Sequence, residues 1–187
     1  MCSQTIGNNM EAIETSLTGL LLIKNKLFTD SRGRFLKIFN EDFYKDNLLC
    51  TNLKECYFSI SHKNVIRGMH FQIPPADHEK IVYVSNGAVV DVVVDIRTKS
   101  ETYGQYCSFE LSDTSGEFLY IPKGCAHGFL SLNDNTVVNY IQTSVYNPSC
   151  DCGIRYDSFG FDWGVEKPII SDRDLSFPTL SNFKSPF

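Results

Sequence analysis

Short strand-type runs follow one another along almost the whole chain, and this succession constrains its fold more than any other feature. LTGLLLIKNKLFTD (17–30), GRFLKIFN (33–40), ECYFSISH (55–62), NVIRGMHFQ (64–72), EKIVYVSN (79–86), AVVDVVVDIR (88–97), GQYCSFELS (104–112), EFLYIP (117–122), HGFLSL (127–132) and TVVNYIQTSVY (136–146) are rich in β-branched and aromatic residues. Turn signals such as DSRG, SNG, DTSG, PKG and LNDN separate them. Only EDFYKDNLL (41–49) has a helical pattern. Strands in this number must close or stack to hide their edges and bury one face. The expected fold is therefore all-β, a sandwich or barrel with short peripheral helices.

With 187 residues, 42% of them hydrophobic and 21% charged, the chain can bury one sizeable core, and no break in composition marks a second domain. Residues 1–16 are polar and mixed and are expected to form a loosely ordered arm. Residues 17–187 form the domain, with an irregular tail over 147–187 laid across the barrel. A net charge of −5 argues against a nucleic-acid partner, because phosphate affinity comes from clustered lysine and arginine. The seven cysteines form no regular framework, and Cys150 and Cys152 lack the C-x-x-C spacing of zinc knuckles and redox dithiols. No apolar run approaches the ~20 residues that cross a bilayer. Reduced thiols, a cytoplasmic location and no membrane contact are the expectation.

Two strands carry residues that a plain strand would not. In AVVDVVVDIR, Asp91 and Asp95 interrupt a run that is apolar on both parities, and being four apart they share one face. That face reads as a cavity lining or as an outward, solvated face. In NVIRGMHFQ, Arg67, Met69 and Phe71 share one face while Gly68, His70 and Gln72 share the other. Gly68 leaves space beside His70 for a ligand or another backbone. Arg67 then points away from His70 unless a bulge re-aims it or it serves a second subunit. His127, after the turn in IPKGCAHGF, is the other histidine in an unusual setting among His62, His70, His78 and His127.

A metal site on such a barrel needs several imidazoles and a carboxylate converging on one ion, typically beginning with H-x-H. GMHFQ offers one histidine, so neither metal nor cofactor is expected. In their order along the chain, DSRGRF, NVIRGMHFQ, EKIVYVSNGAVVDVVVDIR, TYGQY, FLYIPKGCAHGF, VVNYIQTSVYNPSCDCGIRYD and the terminal ISDRD resemble the dTDP-4-dehydrorhamnose 3,5-epimerases, sugar-nucleotide epimerases of the cupin superfamily. The resemblance covers residues 29 to about 179. It implies a cupin-type jelly-roll barrel, a homodimer with swapped N-terminal strands, and an isomerase that inverts carbons flanking the 4-keto group of a nucleotide-linked 6-deoxy sugar in surface-polysaccharide synthesis. By the same resemblance His70 is the general base, oriented by Asp174, Tyr140 is the acid on the opposite face, and Lys80 is the cation beside the C4 oxygen. His127, Arg67 and Arg32 correspond to substrate and phosphate contacts, Tyr146 to a residue packing on the nucleotide, and Arg173 to a basic residue near the phosphates.

These roles agree with the chemistry. A carbon beside a ketone loses its proton readily only if the enolate oxygen is stabilised, which a fixed ammonium in a dry pocket supplies. Inversion needs a base on one face and a donor on the other, and an imidazole paired with a carboxylate titrates in the right range. The chain departs from the family pattern at Lys37, where a glutamate is usual, and at Glu55 and Tyr57, where a Q-x-N pair is usual. These positions bear on the nucleotide, and on hydrogen-bond grounds Lys37 suits cytosine. The hexose or heptose nature of the sugar, and inversion at C3, C5 or both, stay open. A 3,4-ketoisomerase and a non-catalytic nucleotide-sugar-binding cupin are the competing classes.

Overall fold

In the computed structural model, which describes residues 9–187, thirteen strands and three short helical turns make an almost entirely antiparallel molecule. A six-stranded sheet runs in the order β1 (Glu11–Glu14), β2 (Leu21–Lys24), β10 (Glu117–Ile121), β7 (Lys80–Asn86), β12 (Thr136–Gln142), β5 (Glu55–Ser61). A five-stranded sheet runs β13 (Asp151–Gly153), β6 (Ile66–Gln72), β11 (Cys125–Ser131), β8 (Ala88–Asp95), β9 (Tyr106–Ser112). The hairpin β3 (Phe28–Asp30) and β4 (Gly33–Phe35) stands apart. The many crossovers between sequence neighbours and sheet neighbours make this a jelly roll, the barrel expected from the strand succession.

Alternation decides which side chains face inward. Val82 and Val84 of β7 and Val138 and Tyr140 of β12 meet Val89, Val93 and Phe129 of the facing sheet in the interior core. β8 is apolar on both parities because both its faces are covered: Val92 and Val94 pack outward beneath Trp163 and Phe183 of the C-terminal segment. The outer face of the first sheet is covered by the helix α1 (Glu41–Asp46), which buries Phe43 and Tyr44 against Ile23, Ile81 and Phe118. Asn40 caps that helix by accepting from the Phe43 N–H at 2.9 Å. The helix ends at Asp46, short of the 41–49 pattern, because Leu48 takes a positive φ of 58°.

Several elements differ from the sequence reading. Part of the expected arm, residues 11–14, is strand β1, paired along its length with β2, while residues 1–8 of that arm lie outside the described residues. The 17–30 run divides into β2 and β3. The C-terminal segment contributes β13 beside β6 and the helix α2 (Asp172–Leu175), capped by the Ser171 hydroxyl accepting from the Asp174 N–H at 3.1 Å. A single 3₁₀ turn, Leu180–Asn182, follows.

The puzzle of Arg67 is resolved by the β6–β11 register. His70 pairs with His127 and Arg67 with Phe129, so three steps on β6 span two on β11. The extra residue is a bulge that reverses parity, and Arg67 reaches the same face as His70. Gly68 is needed there: its φ is +134°, and a Cβ would lie 2.5 Å from the Gly128 Cα. The space Gly68 leaves is thus filled by the β11 backbone, not by a ligand beside His70. No helix among the described residues is long and apolar enough to cross a membrane.

Candidate active site

Between the two sheets lies a cavity of about 360 Å³ whose lining includes Arg67, His70, Lys80, His127, Tyr140, Tyr146 and Arg173. Seven of the ten residues expected from the sequence are therefore brought to one place, and Asp174 stands directly behind them.

His70 projects from β6, and its Nε2 is 2.9 Å from Oδ1 of Asp174. Asp174 is 4% exposed, and its other oxygen accepts from the Gly68 N–H at 3.1 Å. Burial by itself would raise the carboxyl pKa, but the hydrogen bonds from His70, Gly68 and Ser171 outweigh it and hold the group lowered. The carboxylate assigns the proton to Nε2, which leaves Nδ1 as the nitrogen free to take a proton. The Phe177 ring meets His70 edge-on at 5.8 Å, and it can lie there because Gly153, paired with His70, has no side chain.

Lys80 opens β7 and is buried, with Nζ donating to the His70 carbonyl at 3.1 Å. Burial pulls its pKa down to about 8, opposed by the nearby Asp151 and Asp91. At neutral pH it stays largely an ammonium, with two protons not used by His70. Tyr140 projects from β12 of the opposite sheet, its hydroxyl 3.4 Å from Ser59 Oγ. Burial raises its pKa well above that of an ordinary phenol, so it is held as a proton donor.

The second histidine, His127, is 3% exposed and pairs through Nε2 with Asp91 Oδ2 at 2.8 Å. Asp91 thus serves the cavity from behind. Asp95, on the same face of β8, does not: it is fully buried and holds Arg97, Ser100 and Thr102, with Arg97 Nη2 at 2.7 Å. Neither acid lies on a solvated face. Arg67 is fixed by Nε donating to Ser61 Oγ at 3.0 Å and Nη2 to the Ile60 carbonyl at 3.1 Å. Arg173 pairs with Asp151 at 2.6 Å and lies over Phe177.

Two expected residues are not brought to the cavity of this chain. Arg32 sits at the tip of the β3–β4 hairpin, its side chain 88% exposed and paired with Asp30 at 2.6 Å. Lys37 lies in the segment leading to α1, where its carbonyl accepts from Asn25 Nδ2. It is not among the residues that line the cavity of this chain. Conversely, Gln72, His78, Gln142 and Asp151 line the cavity unforeseen. The Gln72 amide donates to the carbonyls of Ala76 and Val145 and accepts from the Asn147 N–H at 2.6 Å, fastening the loop that carries Tyr146. His78 is kept neutral, its pKa lowered to about 4 by burial and then by Lys80. The inward parity of Gln72 was the available signal, and the others depended on pairings remote in sequence. Among the described residues, no group of three or more His, Cys, Asp or Glu could hold a metal ion.

A carboxylate-held imidazole and a buried phenol on facing sheets, with an ammonium lining the same cavity, define an isomerase of the acid/base type on a jelly-roll barrel. The sequence model of the dTDP-4-dehydrorhamnose 3,5-epimerase family matches residues 14–182. The chain belongs to that family. It is 40% identical over 173 residues to a dTDP-4-dehydrorhamnose 3,5-epimerase of Methanothermobacter thermautotrophicus, covering 90% of this chain and 93% of that protein. A dTDP-6-deoxy-D-glucose-3,5-epimerase of Legionella pneumophila, solved with dTDP-4-keto-L-rhamnose, superposes with a TM-score of 0.88 at 34% identity, covering 94% and 95% of the two chains. A 3'-monoepimerase of Streptomyces bikiniensis, solved with dTDP-quinovose, superposes at 0.84 with 28% identity, covering 89% and 86%.

Proposed function

We propose that this enzyme epimerises a thymidine diphosphate-linked 4-keto-6-deoxy sugar beside its keto group, without a metal, through an enolate, in the synthesis of a surface-polysaccharide sugar. The observation that carries the proposal is the placement of His70 and Tyr140 on facing sheets of one cavity. His70 Nδ1 removes the proton from the carbon next to the ketone, and the C–H electrons move into the enolate. The Lys80 ammonium stabilises the oxygen as its charge grows. Tyr140 then delivers a proton to the other face of the same carbon, and the centre is inverted. The imidazolium and tyrosinate that remain exchange protons with water, and the enzyme is reset. His127 and Arg67 hold the sugar, while Arg173 and Tyr146 hold the diphosphate and base.

The likeness to the 3,5-epimerases supports inversion at two centres, C3 and C5. The enzyme is a homodimer in this reading, and the exposed Arg32 hairpin serves a neighbouring subunit's phosphates. Incubation in deuterated water with the thymidine diphosphate 4-keto-6-deoxy hexose, followed by NMR, tests the proposal. Deuterium at both ring carbons flanking the ketone is expected, and label at one carbon alone would refute double epimerisation. His70→Asn should lose turnover by about 10²–10⁴-fold while still binding the nucleotide sugar. A variant that keeps its turnover would rule out His70 as the base.

A further inference from the structure

We infer that Tyr57, on the edge strand β5, is a positioning residue for the proton donor, holding the Tyr140 phenol against the face of the sugar opposite His70. The inference rests on the reading of Tyr140 as that donor. Tyr57 and Tyr140 are direct cross-strand partners, and their rings stack at 4.8 Å between centroids with 20° between planes. Tyr57 is itself anchored, because Gln142 Nε2 donates to its hydroxyl at 2.6 Å, and Gln142 is two residues beyond Tyr140 on the same face of β12. The donor ring is thus flanked by a flat aromatic wall on one side and by the edge-on ring of His127 at 6.2 Å on another. Ser59, two residues along β5, meets its hydroxyl.

A phenol free to swing about its χ1 and χ2 angles would spend much of its time out of line with the enolate carbon. A misplacement of about 1 Å is enough to cost on the order of 10²-fold in rate. The stack removes that freedom and also covers the phenol from water, in keeping with burial as the main cause of its raised pKa.

The donor's placement can be read separately from the base's action. After His70 has taken the proton, the enolate either receives a proton from Tyr140 and inverts, or takes one back from the imidazolium and keeps its configuration. In deuterated water the second route leaves deuterium in recovered, uninverted substrate once the imidazolium has exchanged the abstracted proton for a solvent deuteron. The ratio of that exchange to inversion reports the donor alone, whereas a general loss of structure lowers both. For Tyr57→Ala and Tyr57→Leu, kcat for inversion should fall by about 10-fold or more, and the exchange-to-inversion ratio should rise by about 10-fold or more. Tyr57→Phe, which keeps the stacked ring, should retain a ratio near the parent's. Two substitutions guard against failure of one of them to fold. An unchanged ratio in Tyr57→Ala and Tyr57→Leu would overturn the inference. Tyr140→Phe serves as the control for the underlying reading: it should exchange without inverting, and if it inverts normally the donor assignment itself falls.

Discussion

Lys80 shows how a single buried charge ties activity to pH. An ammonium placed between two sheets loses its hydration, and burial moves its pKa from 10.5 down to about 8. The protonated form that stabilises an enolate is present below that value and is lost as pH rises through it. The kcat/KM profile of the enzyme should therefore carry an alkaline limb near pH 8, and a profile flat to well above that would refute this role for Lys80. Stability runs the other way. The unfolded lysine keeps its proton up to about 10.4, so between about 8 and that value the unfolded state binds more protons and stability rises with pH. Lys80→Met should lower turnover by at least about 10²-fold and raise the unfolding free energy from chemical denaturation by about 1 kcal/mol or more, because an apolar chain fits a dry wall better than an ammonium. His70, Lys80, Tyr140 and Asp174 were legible in the sequence because each sits in a local motif. Asp91 was legible only as an oddity in a valine run, since its partner His127 is 36 residues away.

At the scale of elements, the bulge in β6 makes the site. Strict alternation would send Arg67 to the outer face, and only the unequal spacing opposite β11 brings it beside His70. Gly68→Ala places a methyl group against Gly128 and forces a side chain onto a φ of +134°. A loss of about 2–4 kcal/mol in chemical denaturation is expected, with activity falling by more than the folded fraction accounts for. A variant of parental stability would show that the strands can separate at this point without cost. The helix α2 performs a similar service with four residues. It has too few turns to persist alone, and its Ser171 cap and the contacts of Asp174 with β6 hold it in place. Such an element is hard to see in a sequence, because ISDRD carries almost no periodicity.

For the whole molecule, the edges of the sheets bear on assembly. β5 is the last strand of its sheet, and Phe58 and Ile60 on its outer side are 62% and 55% exposed. An apolar edge of this kind invites pairing with a second chain. The proposed homodimer predicts a mass of twice 21.2 kDa in sedimentation or light scattering, and Arg32→Ala should raise KM with little change in kcat. A monomer with full activity would refute both the assembly and the role of Arg32. The all-β class and the family were determined by the sequence itself, since strand alternation, turn residues and short motifs are local properties of a chain. Which side chains finally share the cavity was decided only by the tertiary structure. Facing in a barrel depends on register between strands far apart in sequence, so one extra residue at Gly68 turns Arg67 inward. In the same way, the pairing of β5 with β12 lays Tyr57 flat against Tyr140.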